Sequence, residues 1–148
     1  MNLYSLLQAR TGAQGPVRVG LIGAGKFGSM FLAQVPHTAG LEVSAIADLD
    51  PDRACAACRT IGWHDDHIAS VNFSDDAAVL IDRDDVDVVV EATGSPQAGI
   101  AHARAAIAAH KPVVMVSVEA DVVAGPLLAK EARAAGVVYS LAWGDQPA

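Results

Sequence analysis

The stretch V-R-V-G-L-I-G-A-G-K-F-G, residues 17–28, constrains this chain more than any other. Residues 17–22 form an apolar run with β-branched members, which predicts a short buried strand. The run feeds directly into Gly23, Ala24, Gly25, Lys26, Phe27 and Gly28, and residues 29–35 behind it can form a helix. In a strand-to-helix setting each glycine has a separate physical task. Gly23 allows the tight turn, Gly25 lets a pyrophosphate approach the backbone, and Gly28 lets the helix lie close to the strand. The unpaired N–H groups of the helix's first turn then face the phosphates, and the helix dipole favours their charge. Glycine turns are common, so the specificity comes from what surrounds this one. A second apolar run, residues 41–47, ends in Asp48, twenty residues beyond Gly28. A dinucleotide fold places there the acid that hydrogen-bonds the adenosine ribose.

The rest of the chain repeats the alternation of strand and helix. Residues 2–9 carry Leu3, Leu6 and Leu7 at helical spacing, and residues 11–16 (T-G-A-Q-G-P) read as a breaker. Asp50 and Pro51 open a helix that runs to about Thr60, before Gly62. Residues 63–69 read as polar and irregular, and residues 71–73 as a weak third strand. Ser74, followed by Asp75 and Asp76, is the expected cap of a helix ending near Asp82. Residues 86–91 are the clearest buried strand and lead into A-T-G-S-P at 92–96, which launches a helix to about Ala109. A fifth strand is expected at 113–117, a helix from Pro126 to Ala135 closed by Gly136, and a sixth strand at 137–141. This alternation predicts an α/β Rossmann fold: a doubly wound, six-stranded parallel sheet in the order 3-2-1-4-5-6. The expected organisation is an N-terminal helix and linker at 1–16 and a dinucleotide-binding domain at 17–143. Residues 144–148 (G-D-Q-P-A) read as the start of a downstream domain.

Composition narrows the partners. The net charge of −7 gives no electrostatic footprint for nucleic acid or an anionic membrane, and no apolar run reaches spanning length. The first ten residues lack the pattern of a signal peptide, and two cysteines without a targeting segment point to a reducing cytoplasm.

The chain resembles the N-terminal dinucleotide domain of homoserine-dehydrogenase-like oxidoreductases. More closely, it resembles the proteins, some described as 1-deoxy-D-xylulose 5-phosphate reductoisomerase-like, that carry a C-terminal SAF domain. The resemblance rests on M-N-L-Y-S-L-L-Q at 1–8, the stretch 17–31, I-A-D-L at 46–49, V-V-E-A-T-G at 89–94, V-S-V-E-A-D at 116–121 and the closing G-D-Q-P-A. It implies an NAD(P)-dependent oxidoreductase acting on a small polyol, sugar-like or phosphorylated substrate. It also implies a catalytic domain beyond this stretch, and oligomerisation is possible. Homoserine dehydrogenases carry an Asn-Lys pair after the fifth strand, where this chain has Val118, Glu119 and Ala120. A glutamate does not supply that positive charge, so homoserine does not fit as substrate; the resemblance places the wider family's catalytic residues mostly beyond this stretch, and none is carried over.

The expected cofactor contacts are Gly23, Gly25, Lys26, Phe27 and Gly28 in the loop, Asp48 and Arg53 near the ribose, and Ala92, Thr93 and Gly94 after the fourth strand. Asp48 disfavours a 2′-phosphate, whereas Arg53 and Lys26 can accept one, so both NAD and NADP remain open. Cys55 and Cys58, followed by His64 and His67, have the residue types of a zinc site. The pair falls within a helix, and five residues between Cys58 and His64 are too few for a finger, so no metal is assigned. His102 is expected on a solvated helix face, Glu91 as a partner of backbone or loop donors, and Glu119 at the mouth of the crevice. Two other functions compete with the enzyme. A non-enzymatic NAD(H) sensor would use the same fold to gate a partner. A methyltransferase is disfavoured, because a glycine loop opening directly into a helix suits a pyrophosphate.

Overall fold

The computed structural model describes residues 2–142, and the expected opening of a further domain at 144–148 lies outside them. Six parallel strands form one sheet: β1 (Val17–Ile22), β2 (Leu41–Ala47), β3 (Asn72–Ser74), β4 (Val88–Glu91), β5 (Val113–Met115) and β6 (Tyr139–Leu141). Their order is β3-β2-β1-β4-β5-β6, the predicted doubly wound arrangement. The order reverses between β1 and β4, and the carboxyl ends of those two strands carry the glycine loop and the 92–95 loop.

The helices are α1 (Leu3–Gln14), α2 (Lys26–Gln34), α3 (Pro51–Thr60), α4 (Asp65–Ala69), α5 (Ala77–Ile81), α6 (Pro96–Ala108) and α7 (Val118–Ala135). Successive residues of a strand point to opposite faces, so the sheet feeds two cores. On one face Leu21, Val43 and Ile46 meet Leu32 of α2, Cys58 of α3 and Trp63. The Trp63 indole N–H donates to the Leu32 carbonyl at 3.0 Å, so the ring is buried with its polar atom paired. On the other face Ile22, Val89 and Met115 meet Leu80, Ile107 and Leu128 of α5, α6 and α7. Each fully buried aliphatic side chain contributes roughly 1.5–3 kcal/mol, so these two layers hold the sheet's strand ends rigid.

Four sequence expectations are corrected. α1 continues to Gln14, through residues read as a breaker; Thr11 donates its hydroxyl to the Leu7 carbonyl, and the chain turns only at Gly15. Residues 63–69 contain α4, a single short turn whose Ile68 is buried. Asp76, not Ser74, caps α5, its carboxylate accepting from the Ala78 N–H at 2.8 Å. Ser74 is instead the last residue of β3. α7 starts eight residues before Pro126: Val116 and Ser117 leave the strand, and the Ser117 hydroxyl caps the helix by accepting from the Ala120 N–H.

Candidate cofactor site

The glycine loop is shaped by close approach. Gly23 has φ +94°, and a Cβ there would stand 2.7 Å from the Ala92 carbonyl oxygen. A Cβ on Gly28 would overlap the Gly23 carbonyl oxygen. These two positions therefore bring α2 onto β1 and the loop onto the end of β4. Gly25 is different: a Cβ there would meet nothing within 4 Å. Its lack of a side chain serves no neighbour among the described residues. It leaves open the space in front of α2, whose N-cap is Gly25 with no side chain capping the first turn. A group bearing phosphate oxygens fits that space, facing backbone donors at a helix N-terminus.

Asp48 sits against this loop with 6% of its side chain exposed. Its Oδ2 accepts from the Ala24 N–H at 2.8 Å, and Oδ1 accepts from the Asp50 N–H at 3.0 Å and from the Arg53 guanidinium at 2.8 Å. Burial pushes the Asp48 carboxyl up, but these three donors outweigh it and hold it below the usual carboxylate value. The carboxylate thus ties the end of β2 to the glycine loop as well as facing the cleft. Arg53 is 65% exposed and lies on it.

Two clefts adjoin along the strand ends. Gly23, Gly25, Asp48, Arg53, Ala92 and Thr93 line the first. Lys26, Phe27 and Gly94 line the second, which shares Gly25, Ala92 and Thr93 with the first and extends to Ser117 and Glu119. The fold therefore brings together every expected contact except Gly28, which is buried behind the loop. Sequence reasoning missed Leu49, Asp75 and His102, all of which line the first cleft. Leu49 is 95% exposed, an apolar side chain at the edge of this cleft. His102 was expected on a solvated face. It instead turns inward, its Nδ1 3.2 Å from Glu91 Oε1. No local signal marks it, because its partner sits on the neighbouring strand β4.

Cys55 and Cys58 lie on α3 without a metal arrangement: no cluster of three or more His, Cys, Asp or Glu side chains able to hold an ion occurs among the described residues. Cys58 packs into the core, and burial pushes its thiol up to about 11. Among the described residues no helix is long and apolar enough to cross a membrane.

The fold and the site geometry define a dinucleotide-binding α/β domain with its crevice at the reversal of strand order. A family model described as "Oxidoreductase family, NAD-binding Rossmann fold" matches residues 17–119, and the chain belongs to that GFO/IDH/MocA family. Two curated relatives are inositol 2-dehydrogenase of Acidothermus cellulolyticus and inositol 2-dehydrogenase 2 of Paenarthrobacter aurescens. The first is 37% identical over 120 residues, covering 80% of this chain and 33% of that protein. The second is 33% identical over 123 residues, covering 74% of this chain and 34% of that protein. The chain thus spans about a third of the length of these relatives. Among solved structures, biliverdin reductase from Synechocystis, in complex with biliverdin and NADP+, shares the fold at a TM-score of 0.71. It is 24% identical, covering 85% of this chain and 37% of that one.

Proposed function

We propose that residues 17–143 are the cofactor-binding part of an NAD(P)-dependent oxidoreductase whose catalytic groups lie in a downstream domain of the same protein. The observation that carries this reading is the open space at Gly25, framed by the start of α2 and by Asp48 at the end of β2. Gly25 and the first turn of α2, with Lys26 and Phe27 beside them, would hold the pyrophosphate. Asp48 and Arg53 would hold the adenosine ribose. Ala92, Thr93 and Gly94, which line the second cleft, would hold the nicotinamide half. When bound, the cofactor supplies or accepts a hydride. This chain's residues bind and orient it.

The substrate class proposed is a small polyol or a sugar-like or phosphorylated compound. The names of the two inositol dehydrogenases support a polyol. The narrower kinship with SAF-domain proteins rests on the motifs at 1–8, 89–94 and 144–148, and an SAF domain in the downstream sequence would establish it. Hydride transfer needs the substrate carbon held about 3–3.5 Å from the nicotinamide ring, with an acid or base in reach of the substrate oxygen. The second cleft offers Ser117 and Glu119 beyond the cofactor contacts, too few to enclose a substrate. The test is a titration of the chain with NADH and NADPH, paired with turnover assays of the chain and of the full-length protein on polyols. Binding by the chain with turnover only in the longer protein is the expected pattern. A chain that binds neither cofactor refutes it.

A further inference from the structure

Glu91 ends β4 with no exposed surface, one residue before the loop where the two clefts meet. Its Oε1 collects three groups: the Thr93 hydroxyl at 2.6 Å, the Thr93 N–H at 3.4 Å and His102 Nδ1 at 3.2 Å. Its Oε2 has no hydrogen-bond partner among the described residues. That oxygen is lodged at the first turn of α6, where a Cβ on Gly99 would come within 3.0 Å of it and 3.4 Å of the Ala120 methyl on α7. Gly99 therefore leaves the room that the carboxylate occupies. Burying a carboxylate with one oxygen unpaired is costly, and an apolar residue would fill the same volume without that cost. The carboxylate must be supplying something that an apolar residue does not.

What it supplies is a fixed direction for the Thr93 proton. A hydroxyl has one proton to give and two lone pairs to accept with. Thr93 gives its proton to Glu91 and accepts the Ser95 N–H at 3.3 Å. One lone pair remains, on a side chain that lines both clefts. Towards a ligand, Thr93 Oγ1 is thus an acceptor only. The same carboxylate oxygen lies 3.2 Å from His102 Nδ1, and because an ionised carboxylate can only accept, the contact favours the tautomer with its proton on Nδ1.

We propose that Glu91 is a positioning residue of the dinucleotide site: by taking the Thr93 proton it presents Thr93 Oγ1 as an acceptor for a hydroxyl or carboxamide donor of the cofactor. The proposal rests on the cofactor reading given above. Glutamine in place of Glu91 has the same shape, but its amide can donate to Thr93 and turn the hydroxyl proton towards the ligand's own donor.

The test combines NADH titrations of the chain with 15N NMR of the neutral His102 ring in the ligand-free protein, alongside thermal unfolding of each variant. Glu91→Gln and Thr93→Val are each expected to weaken NADH binding roughly three- to tenfold, the loss of one hydrogen bond. Thr93→Ser keeps the hydroxyl and restores binding. The double variant Glu91→Gln/Thr93→Val is expected to bind no more weakly than Thr93→Val, because Glu91 acts through Thr93. The His102 proton is expected on Nδ1 in the wild type, with that preference lost in Glu91→Gln. A folded Glu91→Gln that binds NADH like the wild type overturns the proposal, as does a loss that adds fully to that of Thr93→Val. Should Glu91→Gln not fold, wild-type binding by Thr93→Val or a wild-type His102 proton on Nε2 overturns it instead. The same titrations are run with NADPH where the wild type prefers it, and a wild-type chain that binds neither NADH nor NADPH brings down the cofactor reading itself, an outcome separate from all of these.

Discussion

Replacing Asp48 with serine tests its proposed place at the ribose, where its charge would decide between the two cofactors. The carboxylate uses one oxygen on the Ala24 N–H and the other on the Asp50 N–H and Arg53. A carboxylate offers about four lone-pair sites, so one remains for a ribose hydroxyl. A hydrogen bond to a charged group is worth about 1.5–3 kcal/mol, and losing it weakens NADH binding roughly tenfold to a hundredfold. NADPH is affected in the opposite sense, because the variant removes the charge facing a 2′-phosphate and frees the exposed Arg53 to bind one. The ratio of NADPH to NADH affinity is expected to rise more than tenfold. Serine is also too short to reach the Ala24 N–H, so the loop loses a bond and stability falls by about 1–2 kcal/mol. Bond donors hold the wild-type Asp48 below the usual carboxylate value, so the carboxylate stays charged and its preference is constant as pH falls from 7 to 5. Isothermal titration with both cofactors at two pH values, with urea unfolding as the control, measures each of these. A folded Asp48→Ser with both affinities unmoved would refute the placement of Asp48 at the ribose.

Gly25→Val is expected to stay folded, since its side chain enters open space at an ordinary φ of −73°, while NADH and NADPH binding is lost; fluorescence titration and circular dichroism separate the two effects. Gly28→Ala forces α2 away from the Gly23 carbonyl and is expected to lower stability by roughly 1–3 kcal/mol as well as weaken cofactor binding, read by urea unfolding and titration. Asp87 joins α1 to the sheet through Arg10 at 3.0 Å and Arg18 at 2.7 Å, and the Arg18 guanidinium, against the effect of burial, holds its carboxyl down at about 2. A depressed carboxyl stabilises the fold at all pH above its unfolded value and loses that contribution as pH falls through the folded one. Asp87→Asn should therefore be about 1–2 kcal/mol less stable at pH 7, with the difference from wild type closing between pH 4 and pH 2 in urea unfolding.

The strand order and the loop were legible because both are written in local pattern. Residues 17–28 carry strand, turn and helix start in twelve consecutive positions, and Asp48 follows at a fixed spacing. What the sequence hid depends on contacts across the fold. Pro126 reads as a helix start by habit, yet α7 passes through it, because Ser117 caps the helix only two residues after β5 ends. α4 is five residues long and is held by the stacking of Trp63 on His67, at 4.0 Å between centroids, rather than by periodicity. Asp76 and Ser74 are equally good caps by type, and only the end of β3 at Ser74 decides between them. In the site, the expected contacts come from motifs, whereas His102 sits in a stretch without one and Leu49 closes I-A-D-L without being the residue that motif singles out. His102 reaches the cleft through Glu91, eleven residues earlier on a neighbouring strand, a pairing with no signature in either segment alone.

The central claim is that this domain holds a dinucleotide across the glycine loop, and the most direct measurement is a titration of the folded 148-residue chain with NADH and NADPH, followed by nicotinamide fluorescence. The expected result is saturable one-to-one binding of at least one of the two, abolished in Gly25→Val, with no turnover of polyols by the chain alone. A folded wild-type chain that binds neither cofactor, or a Gly25→Val variant that binds as well as the wild type, would contradict it.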